Sequence, residues 1–415
     1  MNRFFTGALL FLALTGCKPE TDAVNRLKTG IWRAVIEIQC QELPFNFEVS
    51  RDQEGGYDVY LLNAEERLLL DEVELTEDSV RMALHIFDAD IKARISGDSL
   101  QGLFIKNFAE GYRLPFKAAY GQEFRFTTQE NAEKVADFSG KYDVTFMHEG
   151  DTTKAIGIFH QTENRVTGTF MTPTGDYRFL EGNAKGRSMR LSTFDGNYLY
   201  LFSAVLREDE KLEGEFYSGK TWRETWVGKR NENASLPDAG SLTYLKEGYE
   251  RITFAFPDAD GKMVSLEDEM YQGKVIILQL LGSWCPNCMD ETRFLSPWYD
   301  ENKHRGVEVV GLAYERKDDF DYASARVRKM ADKLDIKYRI VIAGTDDKEK
   351  AAASLPMLNA IVAFPTTIFI GKDGKVKKLH TGFNGPGTGQ YFEQFKEDFN
   401  ETVNALLNED LTAER

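Results

Sequence analysis

The stretch LLGSWCPNCMDE, Leu280 to Glu291, places two cysteines three residues apart in a chain of 415 residues that contains four cysteines in all. The largely apolar run KVIILQLL, residues 274–281, precedes the pair and is typical of a central strand in a parallel sheet. Pro286 follows the first cysteine, at a first-turn helix position where its missing N–H costs nothing. The stretch therefore predicts a buried strand that turns into a helix over residues 286–304, with Cys285 at the start of that helix.

Three kinds of chemistry use a closely spaced cysteine pair, and the neighbouring residues separate them. A structural zinc site needs four ligands, and the sequence has no second C-x-x-C pair and no paired histidines at suitable spacing. Haem attachment needs a histidine directly after the second cysteine, where this chain has Met289. A redox dithiol needs only the two thiols. Because a helix N-terminus favours a thiolate, we expect Cys285 to attack and the more shielded Cys288 to resolve.

The motif WCPNC, Trp284 to Cys288, follows an apolar strand and resembles the active site of the thioredoxin superfamily. Its surroundings are similar to the TlpA-like and ResA-like branch, whose members are membrane-tethered, exported thiol-disulfide oxidoreductases. Further matches are Phe364-Pro365-Thr366 before a predicted strand, Glu291 three residues after the second cysteine, and FPDADGK (256–262) followed by GKV (273–275). The resemblance covers roughly residues 245–410 and implies a thioredoxin-like α/β domain.

The resemblance also implies roles for individual residues. Trp284, Pro286 and Asn287 complete the motif, and the dipeptide between the cysteines helps to set the redox potential. Pro365 corresponds to a cis proline that packs against the cysteines. Such a proline keeps the neighbouring backbone open for a bound peptide and prevents capture of a metal by the two thiols.

Glu291 corresponds to a carboxylate that this branch carries near the dithiol. A carboxylate there can raise a thiol pKa or relay its proton. Gln279 stands where thioredoxins proper have a buried aspartate that accepts a proton. This departure leaves Glu291 as the expected proton acceptor.

The N-terminal residues 1–17, MNRFFTGALLFLALTGC, have the pattern of a secretory leader, with an early arginine and an apolar run too short to span a bilayer. The small residues before Cys17 resemble the lipobox of bacterial lipoproteins, in which the leader is removed and the cysteine is acylated. The resemblance implies that acyl chains on Cys17 hold the protein at a bacterial membrane, facing the periplasm. The polar residues 18–29 would then serve as a tether.

Between residues 30 and 230 the sequence alternates short apolar and polar segments with Gly, Asn and Asp, which predicts an all-β region. The patterns LQGLF (100–104) and LEGEF (212–216) recur about 110 residues apart, and a glycine between two residues of one face permits tight curvature. We therefore expect two related meander or small-barrel units, at residues 30–125 and 136–230. Cys40 lies on the same face of a predicted strand as the alternating apolar residues before it, so we expect its side chain to be buried.

The polar segment NENASLPDAGSLT, residues 231–243, predicts a linker, and residues 244–415 follow it as the redox domain. Patterns in this domain predict three further strands and a closing amphipathic helix, at residues 307–312, 366–370, 376–379 and 391–407. The chain is thus expected to combine an all-β N-terminal region with an α/β thioredoxin-like domain.

Composition restricts the partners. The formal net charge of −16 argues against a nucleic-acid partner, which would need clustered Lys and Arg. No fingerprint for NAD, flavin or a nucleotide phosphate is present, so we expect no cofactor and a protein source of reducing power. The resemblance implies disulfide-containing client proteins and a membrane thiol donor of the DsbD or CcdA kind.

The function expected from the sequence is a membrane-anchored thiol-disulfide oxidoreductase that reduces exported clients, with β units that hold the redox domain away from the membrane or recruit clients. One alternative is a peroxiredoxin-type peroxide reductase. Residues 256–261 also resemble that superfamily, but its peroxidatic site has Thr or Ser where this chain has Gly282. The other alternative is a binding lipoprotein whose β units carry the main function.

Overall fold

The computed structural model of the protein describes residues 26–128 and 135–409. The leader, Cys17 and most of the tether predicted at residues 18–29 lie outside the described residues. Within the described ranges, no helix has both the length and the apolar character that crossing a membrane requires. The exact domain boundaries drawn from the sequence stay predictions.

A first antiparallel sheet occupies residues 30–120 of the described chain. Its strands are β1 (Gly30–Ile38), β2 (Gln41–Arg51), β3 (Tyr57–Asn63), β4 (Glu66–Leu70), β5 (Val73–Leu75), β6 (Ser79–Ala83), β7 (Ala89–Ser96), β8 (Ser99–Lys106) and β9 (Arg113–Tyr120). Their order is β4-β3-β2-β1-β9-β8-β7-β6-β5, so the first strand pairs with the last. In β3, Tyr57, Val59 and Leu61 are buried and alternate with half-buried residues, because successive side chains of a strand face opposite sides.

A second antiparallel sheet repeats this plan in residues 140–230. Its strands are β10 (Gly140–His148), β11 (Asp151–Thr162), β12 (Arg165–Thr172), β13 (Gly175–Asp176), β14 (Leu180–Lys185), β15 (Ser188–Phe194), β16 (Leu199–Leu206), β17 (Lys211–Ser218) and β18 (Trp222–Arg230). β10 pairs with β11 and with β18, and β11 also pairs with β12, which closes the sheet into a barrel. Its core is aromatic and includes Phe146, Phe170, Phe202, Phe216 and Trp226.

Matching glycines explain the pattern that the two sheets share. A Cβ atom at Gly102 of β8 would overlap the carbonyl oxygen of Lys92 on β7. A Cβ atom at Gly214 of β17 would overlap the carbonyl oxygen of Ser203 on β16. Each glycine therefore lets its strand approach the preceding strand more closely than any side chain would permit.

The prediction for Cys40 is wrong. Ile38 at the end of β1 pairs with Gln41 at the start of β2, so Gln39 and Cys40 form a two-residue turn. Both turn residues have positive φ, 47° and 60°, as tight hairpins of this kind require. Cys40 is therefore an exposed free cysteine at the tip of a hairpin, because the chain leaves the extended conformation before the alternating pattern ends.

The C-terminal part is an α/β unit built around a five-stranded sheet. Its strands are β19 (Ala255–Pro257), β20 (Met263–Ser265), β21 (Val275–Leu281), β22 (Val307–Glu315), β23 (Arg339–Thr345), β24 (Thr366–Ile370) and β25 (Val376–Thr381), and its helices are α1 (Pro286–Asn302), α2 (Phe320–Lys333), α3 (Lys348–Ser354) and α4 (Gln390–Asn408). The main sheet has the order β23-β22-β21-β24-β25, with β21, β22 and β23 parallel and β24 and β25 antiparallel. The predicted fold class, a thioredoxin-like C-terminal domain after an all-β region, is confirmed.

A buried arginine, Arg178, joins both sheets to the α/β unit. Its guanidinium forms ion pairs with Glu66 of the first sheet, Asp195 beside the second sheet, and Asp290 of α1. The side chains of Arg178 and Asp195 are fully buried, and those of Glu66 and Asp290 are each 7% exposed. A charge buried this deeply is stable only in the presence of its partners. Arg178 therefore fixes how the three parts lie against one another.

Other polar contacts follow the same junction. Lys329 and Lys333 of α2 pair with Glu72 and Asp71, which connect β4 to β5 in the first sheet, at 2.9 and 2.7 Å. The two sheets also contact each other, since the Asn63 side-chain amide donates to the carbonyl oxygen of Phe194 over 2.9 Å. The α/β unit therefore lies against both sheets.

The Arg178 cluster predicts a large loss of stability when the guanidinium is removed. We expect Arg178→Met to destabilise the folded chain by about 3–5 kcal/mol, because buried carboxylates lose their counter-charge. Arg207→Met is the matched control, since its ion pair with Glu213 is about half exposed and should contribute less than about 1 kcal/mol. Urea unfolding of both variants checks this, and equal unfolding midpoints for the two variants would contradict it.

Candidate active site

The WCPNC motif lies where β21 turns into α1. All seven residues of β21 are buried, and β22 and β24 flank the strand on its two sides. Pro286 is the first residue of α1, and Cys285 is the N-cap residue with extended backbone angles (φ −102°, ψ 108°). The central strand therefore holds Cys285 at the N-terminus of a long helix.

Cys285 and Cys288 form a disulfide, with their Cα atoms 5.2 Å apart. The backbone N–H of Cys288 donates to Sγ of Cys285 over 3.1 Å. After reduction, this N–H and the helix dipole can stabilise negative charge on Sγ of Cys285. Cys288 lies one turn inside the helix and is fully buried. The two sulfurs are therefore in different environments, of which that of Cys285 suits the nucleophile.

The loop that contains Pro365 lies opposite the cysteine pair. The peptide bond from Phe364 to Pro365 is cis. The carbonyl oxygen of Phe364 is 3.5 Å from Sγ of Cys285. The indole N–H of Trp284 donates to the carbonyl oxygen of Tyr314 over 2.8 Å, and the rings of Trp284 and Phe364 meet edge to face. The Phe364 carbonyl oxygen thus faces the sulfur of Cys285, and the Trp284 ring packs against the same loop.

Glu291 lies on α1 one turn after Cys288 and is fully buried. Its carboxylate accepts hydrogen bonds from the Thr367 hydroxyl over 2.5 Å and from the Gln279 side-chain amide over 2.8 Å. Gln279 also accepts a hydrogen bond from the Tyr338 hydroxyl, over 2.9 Å. Burial raises the pKa of Glu291 to about 7, although the bonds from Thr367 and Gln279 oppose that rise. Glu291 can therefore exchange a proton near neutral pH.

The β region contacts each motif residue that is not a cysteine. Three hydrogen bonds make these contacts: Asn197 Nδ2 to the Trp284 carbonyl oxygen (2.7 Å), Arg178 Nη1 to the Pro286 carbonyl oxygen (2.9 Å), and Asn287 Nδ2 to the Asp176 carbonyl oxygen (3.0 Å). The carbonyl groups on both sides of Cys285 are thereby fixed from outside the α/β unit. Cys285 is 1% exposed and Cys288 is 0% exposed, so access to the sulfurs is narrow.

The carboxylates around Arg178 outnumber the guanidinium. Burial raises the pKa of Asp176 and of Asp195 to about 6, and it also raises the pKa of Asp290. Repulsion from neighbouring carboxylates adds to the rise, and attraction to Arg178 opposes it. The motif therefore borders an acidic cluster in which Asp176, Asp195 and Asp290 have raised pKa values and retain protons more readily than exposed carboxyls do.

Comparison with known proteins identifies the family. The Redoxin family model matches residues 233–395. The thiol-disulfide oxidoreductase ResA of Bacillus thuringiensis subsp. konkukian is 30% identical over 132 residues, which make up 32% of this chain and 68% of that protein. The chain belongs to the ResA family of thiol-disulfide oxidoreductases. ResA of Halalkalibacterium halodurans is 29% identical over 157 residues, 37% of this chain and 76% of that protein.

A solved structure from Chlorobium tepidum TLS, a thiol:disulfide interchange protein of the thioredoxin family, is 21% identical to this ResA-family chain. The match covers 39% of this chain and 99% of that chain, with a TM-score of 0.30. The Redoxin match begins at residue 233, after β18 ends at Arg230. The contacts that the β region makes with the motif therefore come from outside the part that matches the Redoxin model.

Sequence reasoning placed Cys285, Cys288, Glu291 and Pro365 in one site, and in the structure they lie near the carboxyl end of the central strand β21. It did not identify Asp176, Arg178 or Asn197, which precede the motif by about 90–110 residues. One signal was available. Arg178 follows Tyr177 and precedes Phe179 and Leu180, and a charge within such an apolar segment needs a buried partner.

The pKa of Glu291 predicts how stability varies with pH. Because its folded-state pKa of about 7 exceeds the ordinary value of 4.5, the folded chain keeps a proton that the unfolded chain loses. The contribution of Glu291 to the free energy of unfolding is fully present below pH 4.5 and is lost as the pH rises through 7. Glu291→Gln mimics the neutral carboxyl and does not titrate. The free energy of unfolding of this variant, relative to that of the wild type, should therefore increase by about 3 kcal/mol between pH 4.5 and 8.

Urea unfolding of the oxidised wild-type and Glu291→Gln proteins across this pH range measures that difference. The two proteins are compared directly at each pH, so the contributions of the other titrating groups to the difference cancel. A difference that stays constant from pH 4.5 to pH 8 would show that Glu291 does not titrate there.

Proposed function

We propose that this ResA-family protein is an exported, lipid-anchored reductase of disulfides in client proteins, with Cys285 and Cys288 as its reacting pair. The observation that carries the proposal is the position of Cys285. Its sulfur lies at the N-terminus of α1, receives the N–H of Cys288, and lies 3.5 Å from the Phe364 carbonyl oxygen of the cis-proline loop. A thiolate there is stabilised and has a second thiol within bonding reach.

The reaction has two exchange steps. In the first, the Cys285 thiolate attacks one sulfur of a client disulfide, forms a mixed disulfide and releases the other client sulfur as a thiolate, which takes up a proton. In the second, the Cys288 thiolate attacks Sγ of Cys285 and releases the second client sulfur. Two electrons pass to the client, and the pair is left as the Cys285–Cys288 disulfide.

Glu291 is proposed to take the proton from Cys288 before the second step. Its pKa of about 7 makes it both available as a base and able to return the proton at neutral pH. Gln279 and Thr367 hold the carboxylate in place, so the acceptor is fixed on the helix that carries the thiol. Pro365 and Trp284 are proposed to position the client backbone and Pro286 and Asn287 to set the potential of the pair.

The remaining elements of the proposal come from the sequence. The leader pattern ending at Cys17 supports export and acylation of that cysteine, hence attachment to a bacterial membrane on its periplasmic side. A membrane thiol donor of the DsbD or CcdA kind would re-reduce the pair by the reverse exchange. The sequence has no fingerprint for a nicotinamide or flavin cofactor, which is why we assign the electron source to another protein.

Replacement of Cys288 tests the function. Cys288→Ser leaves Cys285 able to attack but removes the resolving thiol, so mixed disulfides should accumulate on Cys285 in cells. Non-reducing gels and mass spectrometry of the purified variant then identify the clients. In vitro, the wild type should reduce insulin disulfides, and the variant should lose at least about 100-fold in turnover.

Cys285→Ser is the matched control, because it removes the attacking thiol and keeps Cys288. It should trap no clients. Cys40→Ser, at the exposed hairpin, should behave as the wild type does. The proposal is wrong if Cys288→Ser carries no adducts and the wild-type protein does not reduce insulin.

A further inference from the structure

A cavity of about 280 Å³ opens beside the dithiol, between the second sheet and the α/β unit. Tyr177, Tyr198 and Tyr200 form part of the wall on the β side. Asn287, Ala363 and Phe364 form part of the opposite wall. The cavity therefore lies between the β region, the residue between the two cysteines, and the loop before Pro365.

The position of this cavity relates it to the sulfur of Cys285. Phe364, one of the lining residues, has its carbonyl oxygen 3.5 Å from Sγ of Cys285. Asn287, another lining residue, stands between the two cysteines in the chain and is held by the Asp176 carbonyl oxygen. The described lining residues of the cavity do not include either cysteine, but they flank the dithiol on the side of the proline loop.

The three tyrosines form a preorganised surface. The rings of Tyr198 and Tyr200 stack at 4.7 Å, and the rings of Tyr177 and Tyr200 meet edge to face at 5.2 Å. The backbone N–H of Tyr198 donates to Asp195 over 2.7 Å, and Asp195 is paired with Arg178. Each tyrosine is half-buried, and Tyr177 and Tyr200 also pack against the aromatic core of the barrel, which holds their rings in place. Rigid tyrosines offer large contact area at a low cost in side-chain entropy.

The opposite wall offers backbone groups. In the described part of the chain, no backbone group accepts a hydrogen bond from the N–H groups of Ala363 and Phe364. Ala363 is 6% exposed and Phe364 is half-buried, so Phe364 is the residue whose N–H an extended polypeptide could reach in the manner of an added strand. Because Cys285 is only 1% exposed, a client has to present its disulfide on a segment that can extend towards the sulfur.

We propose that Tyr177, Tyr198 and Tyr200 form one wall of a binding site for the extended polypeptide segment that flanks a client cysteine. The β region then selects disulfides in unfolded or flexible chains and does not serve only as a spacer. This inference rests on the proposed function, since it names the substrate class of the same dithiol.

Two substrates separate binding of the flanking segment from reaction at the sulfur. One is a disulfide-bridged synthetic peptide with several residues on each side of its cysteines, and the other is hydroxyethyl disulfide, which has no flanking residues. We expect Tyr198→Ala and Tyr200→Ala to lower the second-order rate constant of the reduced protein with the peptide about fivefold to tenfold. The rate constant with hydroxyethyl disulfide and the reduction potential of the pair should stay unchanged.

Matched variants keep the test decisive. Tyr60→Ala removes a half-buried tyrosine of β3 outside the cavity and should leave both rates unchanged. Tyr198→Leu keeps apolar volume and provides a folded variant if Tyr198→Ala unfolds, with the same selective loss. Equal loss with both substrates, or no loss with the peptide, overturns the inference. A wild-type protein that reduces neither substrate would instead overturn the proposed function.

Discussion

The buried guanidinium of Arg178 is the interaction on which the rest of this protein depends. It pairs with carboxylates from the first sheet, from the turn before β16 and from α1, and it also donates to the carbonyl oxygen of Pro286 between the cysteines. Taking these charges out of water is costly, and only the complete set of partners offsets that cost. The geometry of the redox motif is therefore tied to the folding of both β sheets. In this chain the α/β unit and the β region act as one structure.

This arrangement brings the β region into direct contact with the redox motif. In a free thioredoxin-like unit, the helix N-terminus and the proline loop alone would define the site. Here Asn197 and Arg178 fix the carbonyl groups on either side of Cys285, and Asp176 holds the side chain of Asn287. The sulfurs are reached past these contacts. We propose that the helix makes Cys285 nucleophilic and that Glu291 transfers the proton, while residues more than 80 positions earlier in the chain contact the motif.

The sequence predicted those parts of the site that depend on local pattern. An apolar strand, a proline at the first helical position and a carboxylate one turn later are each visible within the stretch from 274 to 291. The prediction for Cys40 was wrong because the alternation of apolar and polar residues does not show where a strand ends and a two-residue turn begins. Arg178, Asp195 and Asp290 could not be connected, because nothing in their spacing indicates that they meet. Ion pairs between distant segments follow from packing, which a single sequence does not display.

The central claim is that Cys285 and Cys288 form a reversible two-electron couple. The direct measurement equilibrates the protein in dithiothreitol buffers of graded potential, alkylates the free thiols and determines the mass of the intact chain. The account predicts one transition in which two alkyl groups are added together, with a tenfold change in the ratio of forms per about 30 mV. Cys40 should react at every potential. Independent alkylation of Cys285 and Cys288, or no transition at all, would contradict the account.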